Sequence, residues 1–172
     1  ILAMKQTTTP MLAYLKKAMT DYTFLGEGTK RAPDKGESTA IAYRNATMEL
    51  QASGTFWLSP QPGQRGSRYF LQSPDPRTCT WAVFRHKESG IRFRYFNTHL
   101  DHLSPWARAS GIRLILLRMA EMQAAERLPV FSVGVFNFTP QNRQTKLCLQ
   151  QYTGKCSLVD LTRRVPSTFK WV

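Results

Sequence analysis

The chain has 172 residues, of which 42% are hydrophobic and 20% are charged. This length and composition predict one globular domain over residues 1–172, and they exclude a disordered tail or a membrane-spanning helix. Lysine and arginine together number 24 against 11 acidic residues, so the net charge of +13 predicts a polyanionic partner, above all nucleic acid, rather than a surface that is basic only for solubility.

The first half of the chain predicts one helix and several short strands. Residues 1–4 form the end of a buried strand. Thr9 caps a helix whose first position is Pro10, and apolar residues at helical spacing continue it to about Asp21. Strands are predicted at 38–44, 48–52 and 55–59, with a loop at 26–36. A long loop follows at 60–76, the kind that often covers a binding cleft.

The second half predicts a hairpin, two helices and a buried strand. Residues 78–85 and 91–97 flank the hairpin turn. Ser104 and Pro105 begin a helix that runs to about Glu126, with a core stripe of Ile112, Ile115, Leu116 and Met119. Residues 130–135 form a strand buried on both faces, and a third helix begins at Thr139. This order predicts an α+β fold in which helices cover sheets.

The cysteine pattern and the first residue bear on the compartment and on the form of the protein. Cys79, Cys148 and Cys156 form neither a metal pair nor a disulfide framework, which predicts buried thiols in an intracellular, reducing compartment. The chain has no signal peptide and begins at Ile1, so we expect a fragment or a processed form.

Two sequence blocks carry a family resemblance. The sequence Asn-Thr-His-Leu-Asp-His occupies 97–102, and an apolar run ends in Gly-Val-Phe-Asn at 134–137. These resemble signature strands of the endonuclease/exonuclease/phosphatase superfamily, the DNase-I-like metal-dependent phosphohydrolases. Further blocks match in order at 1–6, 36–44, 55–60, 77–81, 158–162 and 167–171. The resemblance implies a four-layer α/β/β/α sandwich, here expected to be incomplete at both ends.

The same resemblance implies a chemistry that this sequence departs from. Family members hold Mg²⁺ with a glutamate, and they use the aspartate and asparagine of a Gly-Asp-Phe-Asn motif together with a final Asp-His pair. Gln6 stands at the glutamate position and Val135 at the aspartate position, while His99 and Asn137 remain as possible phosphate contacts. An alkyl group cannot bind a metal or orient a water molecule. We therefore predict an inactive protein with no metal, no small-molecule cofactor and no intact catalytic residue.

Two groups of residues are predicted to contact RNA. In the long loop, Arg65 and Arg68 lie beside Tyr69 and Phe70, an arrangement that suits single-stranded RNA. On the hairpin, four basic residues form the preferred phosphate-contacting patch, and the last two share a strand face: Arg85, Lys87, Arg92 and Arg94. His99 and Asp101 are expected to form a hydrogen-bonded pair at a strand end, and His102 to be a solvated loop residue.

The predicted role is an RNA-binding, structural component of a ribonucleoprotein, with neighbouring proteins as further partners. An organellar ribosome in the mitochondrial matrix is the suggested setting, on the basis of charge and analogy alone. The alternative is an active Mg²⁺-dependent phosphodiesterase, nuclease or phosphatase whose missing segments lie outside the chain. A third possibility is a protein-interaction module that binds no nucleic acid.

Overall fold

The computed structural model describes residues 1–32 and 35–138. The described residues form nine elements: β1 (Leu2–Ala3), α1 (Thr9–Ala18), β2 (Tyr22–Leu25), β3 (Ile41–Arg44), β4 (Met48–Trp57), β5 (Thr78–His86), β6 (Arg92–His99), α2 (Pro105–Ala125) and β7 (Val130–Val135). The third helix predicted from Thr139 lies outside the described residues. No helix in the described part is long and apolar enough to span a membrane.

The strands form two sheets. One has three strands in the order β1-β3-β2, and the other has four in the order β4-β5-β6-β7. All neighbours pair antiparallel except β6 and β7, which are parallel. Helix α2 makes the crossover between these two strands, as parallel pairing requires.

The two sheets pack face to face. Ile41 and Tyr43 of the three-stranded sheet share an apolar cluster with Ala82 and Phe84 of the four-stranded sheet. Asn97 of β6 ties the sheets together, because its amide nitrogen donates to the carbonyls of Met4 and Ala40, both at 2.8 Å. These contacts fix the carboxyl ends of β1 and β6 next to each other.

Helix α2 covers the other face of the four-stranded sheet. Its buried side chains include the predicted stripe of Ile112, Ile115, Leu116 and Met119, which packs on Phe56, Leu58 and Phe96. The predicted cap is also present, since the Ser104 hydroxyl accepts from the Ala107 amide at 3.1 Å. Helix α1 contains no buried residue and lies next to β2. The predicted α+β sandwich of sheets and helices is confirmed.

Several local predictions needed correction. Strand β2 was not predicted, because all four of its residues are half-buried and the segment lacks an alternating pattern. The segments predicted at 48–52 and 55–59 are one strand with a register shift after Leu50. Gly54 lies in its middle because a Cβ there would approach the Trp81 indole nitrogen to 2.9 Å. The N-cap of α1 is Thr8 rather than Thr9.

Burial of β1 and β7, each at an edge of its sheet among the described residues, also differs from the prediction. Leu2 in β1 is 44% exposed, and in β7 Phe131 and Val135 are 43% and 38% exposed. Within the described residues, each of these strands has only one hydrogen-bonded neighbour. Within the described residues, the prediction that β7 is buried on both faces is therefore wrong. An apolar run does not reveal which strand lies at the edge of a sheet.

Candidate functional site

A cleft of about 340 Å³ opens at one end of the sandwich. It lies where the carboxyl ends of β1 and β6 meet the loop that precedes β3 and the loop that precedes β5. Its charged and polar lining includes Gln6, Lys30, Lys35, Glu37, Asp75, Arg77 and His99. The cleft thus collects residues from distant parts of the sequence, among them two of the predicted site residues.

His99 is the last residue of β6, and its side chain is 8% exposed at the cleft. Burial is the main cause that lowers the pKa of His99 from its ordinary 6.5 to about 4, and the nearby charges of Arg77, His102 and Lys5 lower it further. The imidazole is therefore neutral at pH 7. It can exchange a hydrogen bond with a ligand but carries no charge to attract one.

The depressed pKa of His99 predicts acid sensitivity. Because the unfolded chain binds a proton near pH 6.5 and the native imidazole only near pH 4, stability falls as the pH drops between these values. We expect a loss of up to about 2 kcal/mol in the free energy of unfolding from pH 7 to pH 5, measured by urea denaturation. The His99→Gln variant should show a smaller pH dependence. A midpoint near pH 6.5 for the His99 imidazole by NMR would contradict this.

Asp101 follows β6 and anchors the next loop. Its buried carboxylate accepts hydrogen bonds from the amides of Ser73, Leu103 and Ser104 at 2.9, 3.0 and 2.7 Å, and from the Ser73 hydroxyl. Burial acts to raise the pKa of Asp101, but these hydrogen bonds outweigh it and hold the pKa below 3.8. The expectation that Asp101 forms a hydrogen-bonded pair with His99 is therefore wrong, since the Asp101 carboxylate accepts its hydrogen bonds from residues of the loops.

Arg77 joins the cleft to the loop that follows β6. Its side chain lines the cleft, and its Nη2 contacts His102 Nδ1 at 2.8 Å. The Arg77 Nε is buried without a hydrogen-bond partner and lies 3.7 Å from the Asp101 carboxylate. Sequence reasoning did not select Arg77, although it begins the matched block at 77–81. His102 is exposed, as expected, but it is held by this contact.

The other predicted site residues lie around His99. Gln6 is an exposed residue of the cleft, and Val135 is the register partner of His99 in the parallel ladder. Partners in a ladder point to the same face of a sheet, so the Val135 side chain is on the His99 side. Asn137 donates its amide nitrogen to the Leu100 carbonyl at 2.9 Å. Gln6 and Asn137 have positive φ angles of 54° and 53°, a conformation that is often kept at functional sites.

Comparison with solved structures shows the family. A Bacteroides thetaiotaomicron endonuclease/exonuclease/phosphatase family protein matches with a TM-score of 0.78 and 31% identity, over 83% of this chain and 51% of that one. A mannosyl-6-phosphatase from the same organism matches with a TM-score of 0.77 and 31% identity, over 83% and 52%. The chain belongs to the endonuclease/exonuclease/phosphatase superfamily. No protein-family model and no curated protein matches the sequence.

More distant members share the fold alone. Zebrafish TDP2, solved with a single-strand DNA product, has a TM-score of 0.63 at 19% identity, over 84% of this chain and 50% of that one. The chain spans about half the length of each of these solved relatives. The two blocks that resemble the superfamily's signature strands, at 97–102 and 134–137, lie at the end of β6 with the loop after it and at the end of β7.

The described residues do not fit the Mg²⁺ that the superfamily implies. They contain no group of three or more His, Cys, Asp or Glu side chains able to hold a metal ion. The carboxylates that line the cleft are Glu37 and Asp75, and Asp75 is paired with Lys30 at 3.5 Å. Mg²⁺ needs hard oxygen ligands, preferably carboxylates, in octahedral geometry. The amide of Gln6 and the alkyl group of Val135 do not supply them.

The charge of the cleft instead suits an anion. Lys30, Lys35 and Arg77 line it, and Lys5 lies next to Gln6. Burial lowers the pKa of Lys5. These cations outnumber the carboxylates of Glu37 and Asp75, so the potential in the cleft favours a phosphate or another anion.

The structure disperses the residues predicted for RNA in the long loop. Arg65 is paired with Glu27 and lies over the Trp57 ring at 5.4 Å, so it fastens the loop to the segment before β3. Arg68 is exposed and has no acidic partner among the described residues. Tyr69 is half-buried with its ring against Trp106. Of the residues predicted in this loop, Arg68 and Phe70 are thus the ones exposed to a ligand.

On the hairpin, the predicted patch is largely engaged within the protein. Arg85 pairs with Glu49 at 3.2 Å, Lys87 donates to the Asn45 carbonyl at 2.6 Å, and Arg92 pairs with Glu126. Arg94 is 4% exposed and donates to the Glu126 carbonyl at 2.7 Å and to Gln123 at 2.9 Å. Arg92 and Arg94 do share a strand face, but it is the face that α2 covers.

Arg94 therefore acts as a structural residue, which leads to a prediction. Arg94→Met should lower the free energy of unfolding by about 2–4 kcal/mol, because the end of α2 loses charge-assisted hydrogen bonds. The exposed pair of Arg85 with Glu49 provides the control, and Arg85→Met should cost at most about 1 kcal/mol. Urea denaturation at neutral pH measures both. Equal effects would contradict the different burial of the two side chains.

Proposed function

We propose that this chain is a non-hydrolysing member of its superfamily that binds RNA through a basic surface, as a structural part of a ribonucleoprotein. An organellar ribosome is one such particle. The observation that carries the proposal is that Val135 is the register partner of His99, so that its side chain lies beside His99 on the same face of the sheet. An alkyl group in this place neither binds a cation nor takes a proton from water.

The cleft residues support the loss of hydrolysis. Gln6 faces the same cleft as His99 but offers only a neutral amide oxygen, and His99 is itself neutral at pH 7. Hydrolysis of a phosphate ester needs an oriented nucleophile and, in this superfamily, a metal ion. Binding needs only positive charge and hydrogen-bond donors, which Lys30 and Lys35, the exposed lysines of the cleft, provide.

The charge distribution supports a polyanionic partner. The net charge is +13, and many cations of the described part are exposed and have no acidic partner there: Lys16, Lys17, Arg31, Lys35, Arg68, Arg113 and Arg127. Such cations remain available to phosphates, whereas the paired arginines of the hairpin do not. Release of counterions from RNA by these groups favours association.

The test is a salt series with single-stranded RNA. We expect the logarithm of the association constant to fall linearly with the logarithm of the salt concentration, with a slope of about −0.7 for each phosphate contacted. Reversing the charge of Lys16 and Lys17 on α1 should weaken binding and flatten the slope. A flat slope in the wild-type protein, or no binding at low salt, rules out RNA as the partner.

A second candidate is a sugar-phosphate phosphatase, favoured by the 31% identity to the mannosyl-6-phosphatase. His99, Asn137 and the cleft are present in this chain. Its test is Mg²⁺-dependent release of phosphate from mannose 6-phosphate by the wild-type protein. Turnover that disappears in the His99→Ala variant would favour this candidate over the non-hydrolysing one.

A further inference from the structure

An exposed apolar surface is formed by the loop before β5 and by the segment that leads from β6 into the first turn of α2. Phe70 and Leu71 are 92% and 63% exposed in the loop before β5, and Leu103 and Trp106 are 64% and 52% exposed after β6. The Tyr69 ring meets the Trp106 ring edge-on, with 5.1 Å between centroids. This contact joins the two segments into one surface, which we call the aromatic platform (Tyr69–Leu71, Leu103 and Trp106).

The platform is held in place from below. Gln72 accepts from the Tyr69 amide at 2.9 Å and donates to the Asp75 carbonyl at 3.0 Å, while Ser73 donates its amide to Asp101 at 2.9 Å. Gln72 and Ser73 are buried. Because the turn is pinned on its inner side, Phe70 and Leu71 are displayed outward without the entropy cost of ordering a loose loop on binding.

The surroundings of the platform identify the kind of ligand that fits it. Residues 65–73 and 102–106 contain no acidic side chain, and Arg68 is exposed two positions before Phe70. Arg77 connects the platform to the cleft, since it lines the cleft and contacts both Ser73 and His102. Aromatic rings next to cationic side chains suit single-stranded RNA, because the rings stack on unpaired bases and the cations attract the phosphates. A second copy of this chain is disfavoured, because both copies carry +13.

We propose that the aromatic platform is a base-stacking site for single-stranded RNA: an unpaired base stacks on Phe70 and Trp106, and the adjoining phosphate lies toward Arg77 in the cleft. This inference rests on the proposed function. It locates the part of the surface that contacts the bases of the RNA rather than its phosphates. Of the two aromatic residues predicted from the sequence, it keeps Phe70 and replaces the half-buried Tyr69 by Trp106, which is 52% exposed.

The experiment compares two polyanions, one with bases and one without. Binding of a short fluorescein-labelled oligoadenylate is measured by anisotropy, and inorganic polyphosphate binding by competition. We expect Phe70→Ala to weaken oligoadenylate binding by about 5- to 100-fold and to leave polyphosphate binding unchanged. Trp106→Ala should act in the same direction. The matched control is Tyr14→Ala, which removes a ring that is 72% exposed on α1 and should change neither.

The outcomes separate this inference from the proposed function. If the wild-type protein binds oligoadenylate and Phe70→Ala binds it equally well, the platform is not a stacking site although RNA remains the partner. If the wild-type protein binds neither polyanion, the proposed function itself fails. Self-association, or binding to anionic vesicles, that depends on Phe70 would also overturn the inference. Thermal melting checks that Phe70→Ala folds, as its exposure predicts.

Discussion

The double substitution Gln6→Glu and Val135→Asp is expected to give this chain a Mg²⁺ affinity at least about tenfold above that of the wild-type protein. Both new carboxylates would lie beside His99, since Gln6 lines the same cleft and Val135 is the register partner of His99. They would add two hard anionic oxygen ligands to the carboxylates of Glu37 and Asp75, which already line the cleft. Isothermal titration with MgCl₂ measures the change directly.

The Val135→Asp substitution alone has a second expected effect. A carboxylate on the His99 side of the sheet should raise the pKa of His99 from about 4 back toward its ordinary value. NMR titration of the imidazole reports this shift without any metal. The matched control is Val135→Asn, which has a similar shape and no charge and should leave the pKa low.

Assays of the wild-type protein test the converse expectation, that the chain without these two carboxylates does not hydrolyse phosphate esters. It should release no phosphate from p-nitrophenyl phosphate in a Mg²⁺-dependent manner. Metal-dependent turnover by the wild-type chain, or tight Mg²⁺ binding before any substitution, would show that other residues complete the site and would refute the non-hydrolysing role.

The second large effect is expected at Asp101, which is 2% exposed and accepts hydrogen bonds from Ser73, Leu103 and Ser104. Asp101→Asn should lower the free energy of unfolding by about 3 kcal/mol, because an amide group presents a donor to backbone donors and leaves Arg77 without its counter-charge. Urea denaturation at pH 7 measures the loss. The same substitution at Asp75, whose pair with Lys30 is exposed, should change it by about 0.5 kcal/mol or less.

The effect of Asp101 should depend on pH in a defined direction. The folded state holds the pKa of Asp101 below its ordinary 3.8. The stabilisation is therefore complete above that value and is lost as the pH falls through the lower folded pKa. The gap between the wild type and Asp101→Asn should be constant from pH 5 to pH 8 and should narrow in more acidic solution. A gap that persists unchanged in strong acid would show that packing, not charge, causes the loss.

Three predictions that depend on local patterns agree with the structure. The hairpin of β5 and β6, the Ser104 cap and the α2 stripe each follow from neighbouring residues or helical spacing. Strand β2 escaped prediction because its burial is uniform, and the exposure of β7 depends on how many strands lie beside it. Pairing of strands distant in sequence leaves no local signal.

The residues of the candidate site also fall into two groups, those that local sequence predicts and those whose role depends on tertiary contacts. Gln6, His99, Val135 and Asn137 could be chosen from the sequence because they occupy motif positions, and the structure brings them together at the ends of β1, β6 and β7. Arg77 was missed because its role arises from contacts with Ser73 and His102 across two loops. The hairpin patch was misjudged for a related reason: period-two spacing places Arg92 and Arg94 on one face but does not say that α2 covers it.

The sequence by itself determined the superfamily and the excess of positive charge, and it predicted two missing carboxylates at Gln6 and Val135, because motif blocks and composition depend only on the order and identity of residues. Only the tertiary structure decided which lysine and arginine side chains are exposed and available to bind a ligand. Arg94 meets Glu126 and Arg65 meets Glu27 across long sequence separations. Whether a charge is buried and paired or exposed and available depends on what folding places next to it.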